Sequence, residues 1–176
     1  QLMIDEFKIH EILNGEGWYG NKQAVQLGAR GFSLLGIRNL NLRGEYNFVR
    51  PYMYSHYTTI QNYGHYNQPL AHPLGANFSE ALGFLSYRYK SFSAELRYSL
   101  AVYGTDTLDS AGAVINFGGD IYLPYDKHPF NYGNYVGQGL KNTLSWTTFR
   151  FAWTINPGTN LNLFDGVSLR YHENSR

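Results

Sequence analysis

The sequence predicts an all-β fold, an antiparallel up-and-down transmembrane β-barrel, to which this chain contributes about seven strands. Three observations lead there. Apolar and polar residues alternate with period two over segments of about ten residues, the length a tilted membrane strand needs. The connections between those segments alternate between short and long, as in outer-membrane barrels with tight periplasmic turns and long outer loops. The composition is also unusual for a soluble domain. Aromatic residues make up 17% of the 176 residues and charged ones only 15%, with 19 glycines and 16 tyrosines.

The first strand is expected over Leu2 to Leu13, with Met3, Phe7, Ile9 and Leu13 on one face. Gly15, Gly17 and Gly20 surround Trp18 and Tyr19, a turn carrying aromatics of the kind found at a membrane interface. The second strand runs from Gln23 to Ser33, with Val25, Leu27, Ala29 and Gly31 on one side. The third has the cleanest alternation: Leu40, Leu42, Gly44, Tyr46 and Phe48 against Asn41, Arg43, Glu45 and Asn47. A long loop follows over about 50–77, in which Pro69 and Pro73 exclude both helix interior and central strand. The fourth strand covers Phe78 to Tyr89, although Leu82 and Phe84 sit on its otherwise polar side.

A tight turn at Lys90 and Ser91 leads to a fifth strand that ends near Val102. A second long loop, about 105–141, is rich in Gly, Tyr, Asn and Pro. The sixth strand spans Asn142 to Ile155, with Phe149, Phe151, Trp153 and Ile155 aligned. Asn156-Pro157-Gly158-Thr159 is a turn by composition. The seventh strand, Asn160 to His172, aligns Leu161, Leu163, Val167, Leu169 and Tyr171, with Asp165 as a blemish. An odd strand count ends on the long-loop side, whereas bacterial barrels have even counts and end in the periplasm. Residues 1–176 are therefore expected to be a single partial barrel domain, the C-terminal part of a longer chain. Its two unpaired edges predict that it does not fold alone.

A formal charge of +1 gives no electrostatic reason to bind nucleic acid. The chain has no cysteine, so disulfides and thiolate metal sites are excluded. No apolar run is long enough for a membrane helix. The polar strand faces carry Arg30, Arg43, Glu45, Glu95, Arg97 and Arg150, along with Glu80, Arg88 and Arg170, a mixed-charge ladder expected to line the barrel lumen and pair across strands. His56, His65 and His72 have no metal-ligand spacing, and Asp106, Asp109, Asp120 and Asp126 have no calcium-loop spacing. No nucleophile elbow accompanies Ser55-His56, so no catalytic residues and no cofactor are assigned, and the chain is not read as an enzyme. The loop residues best suited to a neutral polar ligand such as carbohydrate are Tyr52, Tyr54, His56, Tyr63, His65, Tyr66, Asn67, Gln68 and His72. Aromatic faces stack on sugar C–H groups, and amides and imidazoles bond hydroxyls.

Tyr46 to His56 (YNFVRPYMYSH) and Asn62 to Phe78 (NYGHYNQPLAHPLGANF) resemble the Wzi-type capsule-assembly outer-membrane proteins. The likeness is to the RemB-like gliding-motility branch of the Bacteroidetes, and DEFKI (Asp5 to Ile9) and GWYGNK (Gly17 to Lys22) fit it too. The resemblance implies a non-enzymatic outer-membrane protein with its long loops extracellular. Its partners would be outer-membrane lipid and capsular or surface polysaccharide, in capsule assembly or attachment or in gliding motility. Two other readings stay open: an outer-membrane channel for small solutes, and a soluble secreted β-sandwich that binds carbohydrate.

Overall fold

The computed structural model describes residues 1–175. It is mostly β: one seven-stranded antiparallel sheet and two short hairpins. The sheet strands are β1 (Leu2–Ile4), β2 (Gln23–Gly31), β3 (Leu40–Val49), β4 (Phe78–Tyr89), β5 (Phe92–Thr105), β6 (Leu140–Asn156) and β7 (Leu161–Ser175). Each pairs with its neighbours in sequence, so the sheet is a meander with β1 and β7 at its edges. No helix is long and apolar enough to cross a membrane, which says nothing about crossing by strands.

The cross-strand register sets two faces. One row runs Leu42–Leu85–Leu96–Phe149–Val167, and the next runs Leu40–Tyr87–Ala94–Phe151–Asp165. The apolar residues of this face are left bare: Leu27 is 62% exposed and Leu169 68%. Phe92 stacks between Phe151 and Trp153 near the short-turn end, with ring centroids 5.8 and 5.9 Å apart. The opposite face is polar and hollowed. A concavity of about 950 Å³ lies on it, lined by residues of β3 to β7 that include Asn41, Ser86, Arg88, Glu95, Thr148 and Arg150.

The register also explains Phe84 on the polar face. It lies between Arg43 and Arg97 on the flanking strands, and both guanidiniums approach its ring, at 5.2 and 5.9 Å from the centroid. An aromatic face there offers the cations an attraction that an aliphatic residue would not.

One element departs from the sequence expectation. The strand expected over Leu2 to Leu13 stops at Ile4, and Ile9–Asn14 forms the helix α1. Ile9, Ile12 and Leu13 stand at i, i+3 and i+4, the spacing of a helix face. Gly15 ends the helix at φ 70°, its N–H bonded to the Ile12 carbonyl at 3.2 Å, the left-handed cap that glycine permits. The ladder with β2 breaks where Lys22 is drawn inward and turns Asp5 and Glu6 towards its ammonium.

The three short connections, 32–39, 90–91 and 157–160, lie at one end of the sheet, and the three long ones, 5–22, 50–77 and 106–139, lie at the other. The long loops do not project freely. Every buried strand side chain sits on the polar face at this end: Ala24, Asn47, Val49, Phe78, Glu80, Ala101 and Asn142. Ala24, Val49 and Phe78 form a core with Met53, Tyr54, Ala76 and Ile121 from the loops. The hydrophobic core thus lies between the loops and the hollow side of the sheet.

Candidate functional site

Loop backbone has no ladder to satisfy its N–H and C=O groups, so a buried loop must find side-chain partners for them. The sequence supplies these with amides and two cations. Asn77 is fully buried at φ 58°. Its Nδ2 donates to the carbonyls of Gly104 (3.2 Å), Phe117 (3.4 Å) and Gln138 (2.9 Å). Its Oδ1 accepts from the N–H of Gly137 (2.7 Å) and Gln138 (3.3 Å). Arg50 donates to the carbonyls of Asn21 (2.8 Å), Trp18 (3.4 Å) and Asn134 (3.4 Å), joining the first and third long loops from its place at the start of the second.

Lys22 is also fully buried. Its Nζ lies 3.4 Å from Glu6, 3.7 Å from Asp5, 3.3 Å from the Ser55 carbonyl and 3.7 Å from the centroid of the Tyr125 ring. A buried ammonium survives only with such partners. Tyr125 donates its hydroxyl to Glu6 at 3.2 Å. Burial and the Glu6 carboxylate push its pKa up to about 12, so it stays a donor. The result is a cap in which all three long loops are bonded to one another.

The second long loop is fixed to the sheet by His72. Its ring stacks on Phe78 (4.4 Å between centroids) and its Nε2 lies 3.0 Å from Glu80 on β4. Nδ1 accepts the Leu74 N–H at 3.2 Å, which places the ring proton on Nε2. Glu80 also receives Asn47 (3.0 Å) and Ser99 (3.4 Å). Between this loop and β1 to β3 lies a cavity of about 410 Å³, whose walls include Tyr54, Tyr63, Leu70, His72 and Asn47. Tyr54 and Tyr63 stack with centroids 5.8 Å apart.

Of the residues singled out for a polar ligand, the structure therefore brings Tyr54, Tyr63 and His72 to one cavity. Tyr52 is fully buried, its hydroxyl donated to the Asn116 carbonyl at 3.0 Å. His56 packs edge-on to Tyr125 on the other side of the loop, with its Nδ1 buried and unpartnered among the described residues. His65 and Gln68 pair in a small hairpin whose turn residues, Tyr66 and Asn67, both have positive φ. That is the geometry of the tightest hairpins, and it leaves Tyr66 89% exposed at the tip. Gly75, expected to hold a backbone that other residues disfavour, has φ 72°, and a Cβ there would meet the Gly119 carbonyl oxygen at 2.7 Å.

Arg30, Arg43, Glu45, Glu95, Arg97 and Arg150 do share the polar face. Their expected pairing across strands is corrected. The two ion pairs formed there, Arg43 with Glu45 and Arg97 with Glu95, each run along a single strand. The register accounts for the two arginines: Arg43 faces Arg30 and Phe84, and Arg97 faces Phe84 and Thr148, so neither has a carboxylate opposite, whereas Glu95 does face Arg150 and is taken by Arg97. Sequence reasoning missed Arg50, Lys22 and Asn77 as the residues that assemble the cap. Their signal was faint: an Arg-Pro at the end of a strand, a lysine within a glycine-aromatic turn, and an asparagine just before the start of a strand. Among the described residues no cluster of His, Asp and Glu is arranged to hold a metal ion.

Comparison with protein-family models, curated proteins and solved structures finds no match for this chain.

Proposed function

We propose that the chain is a wall segment of an outer-membrane β-barrel, whose capped long loops sit at the cell surface and hold capsular or other surface polysaccharide, in capsule assembly or attachment or in gliding motility. The observation that carries this reading is the inversion of the sheet: its apolar face is bare from β2 to β7, while its polar face is hollow and bears the core. A soluble sandwich buries its apolar face against a second sheet, and no second layer covers that face among the described residues. The wall closes by pairing of further strands with the edges at β1 and β7. The cavity walled by Tyr54, Tyr63 and His72 suits a sugar unit, with ring faces for C–H groups and imidazole and amide for hydroxyls.

Two experiments test the two halves of the proposal. Leu85→Arg and Leu96→Arg, made separately in the full-length protein, are expected to lower the fraction folded into outer membranes, read as the heat-modifiable band on gels. A lipid-facing arginine near the bilayer midplane costs about 2–4 kcal/mol, whereas a solvent-exposed change costs within about 0.5 kcal/mol. Undiminished folding of both variants would remove the barrel reading. For the second half, purified full-length protein is tested for retention of labelled capsular polysaccharide. Tyr54→Ala with Tyr63→Ala is expected to reduce retention at least tenfold while folding persists. A barrel that retains no polysaccharide and conducts ions in planar bilayers would move the function to solute passage, a role the loop cap over the hollow face argues against.

A further inference from the structure

We infer that the hollow polar face beneath the loop cap is an anion-binding site, separate from the tyrosine cavity, set by Arg88, Arg97 and Arg150. All three line the same concavity of about 950 Å³, against the carboxylates of Glu95 and Asp165. Asp165 stands opposite Phe151 in the apolar row and accepts the Gly166 N–H. Glu95 does not divide itself among them. It pairs with Arg97 at 2.5 Å along β5, and leaves Arg150 without an ion pair although the register sets the two directly opposite. Arg88, on β4, likewise forms no ion pair among the described residues. Two guanidiniums therefore present unused forked donors to one hollow.

Each such fork matches a carboxylate, phosphate or sulfate with two parallel hydrogen bonds. Ser86, Thr148 and Ser168 add hydroxyl donors on the same wall. A concave surface with an excess of one sign of charge also concentrates counter-ions above their bulk level. The imbalance extends along the whole polar face. Arg30 and Arg43 stand opposite each other, a like-charge pairing that destabilises a sheet unless an anion or carboxylate lies nearby. Among the described residues Arg43 is answered by Glu45, while Arg30 meets the Phe32 ring and no carboxylate.

The ligand chemistry is anionic oxygen, presented either by a small free anion or by an acidic sugar chain. The proposal rests on the polar face being the inner side of the wall, and its test is separable from that reading. Full-length protein in detergent is first checked for heat-modifiable mobility, which reports the barrel alone. It is then titrated with inorganic sulfate, with a tetramer of galacturonic acid, and with the neutral methyl ester of that tetramer. The acid tetramer is expected to bind at least tenfold more tightly than its ester, with an affinity that falls as sodium chloride is raised. Arg88→Gln with Arg150→Gln is expected to erase this preference, while Tyr54→Ala with Tyr63→Ala leaves it in place. Competition by millimolar sulfate alone would identify a small-anion site. Absence of competition would identify an acidic chain that needs several contacts. Equal binding of acid and ester, or a preference that survives loss of both arginines, would overturn the inference whatever the mobility assay shows.

Discussion

Replacing Asn77 by leucine is expected to release the loop cap and to destabilise the folded protein by about 4 kcal/mol or more, beyond the range of ordinary substitutions. Two effects add. The amide makes five hydrogen bonds to loop and strand backbone from a fully buried position. Its removal leaves carbonyls and N–H groups stranded, at about 1–3 kcal/mol for each group that finds no replacement. Leucine also tolerates φ 58° poorly, at roughly 1–2 kcal/mol. Asn77→Gly separates the two, because glycine keeps the backbone angle while losing the amide. Urea unfolding in detergent should rank the variants wild type, Asn77→Gly, then Asn77→Leu. Limited chymotrypsin digestion should open the second and third long loops of the variants before the strands. A leucine variant with wild-type resistance would show that the cap does not depend on this residue.

Gly104→Ala is the second large expected effect, and it acts at the same junction from the strand side. A Cβ on Gly104 would fall well inside contact distance of the Gln138 carbonyl oxygen and the Asn77 amide. Neither can swing aside, because one is backbone and the other is held by its own bonds. The expected loss is about 3 kcal/mol, the upper part of the range for overpacking, again measured by urea unfolding. Gly83→Ala is the control. It lies in mid-strand on the apolar face, where an added Cβ meets nothing within 4 Å, and little change is expected there. If the two alanines behave alike, the close approach of the third long loop to β5 is not rigid.

Legibility from the sequence divided along a physical line. β4 spans the residues expected of it, and β3, β5, β6 and β7 lie within a few residues of expectation. In these strands each side chain's environment follows from the face it stands on, and a face is a property of period two. The alternation of short and long connections was readable for the same reason, since it needs only strand ends. The first strand failed because Ile9 and Leu13, which stand with Ile12 at helical spacing, were counted into a strand alternation. The cap was not readable at all. Asn77, Arg50 and Lys22 act through carbonyls that lie far away in the chain, and a carbonyl leaves no mark on the residue type that carries it. The tyrosines of the second long loop illustrate this limit. Tyr52 and Tyr54 look equivalent in sequence, yet Tyr52 is fully buried with its hydroxyl on the Asn116 carbonyl, while Tyr54, a member of the core, also walls a cavity.

The placement of the core on the hollow side of the sheet has a consequence for how such a wall is assembled. A one-residue slip between two strands turns every side chain of the slipped strand to the other face. Ala24, Val49 and Phe78 stand side by side on β2, β3 and β4, so a slip at either seam would carry an anchor away from the loops that cover it. Among the bonds that complete the cap, those of Arg50 with Asn134 and of Glu6 with Tyr125 join residues 84 and 119 positions apart. They close only after the strands between them have met, because distant contacts form late. The cap therefore acts as a final inspection of strand alignment: a misregistered sheet leaves its loops open, and open loops are the first substrate for a protease.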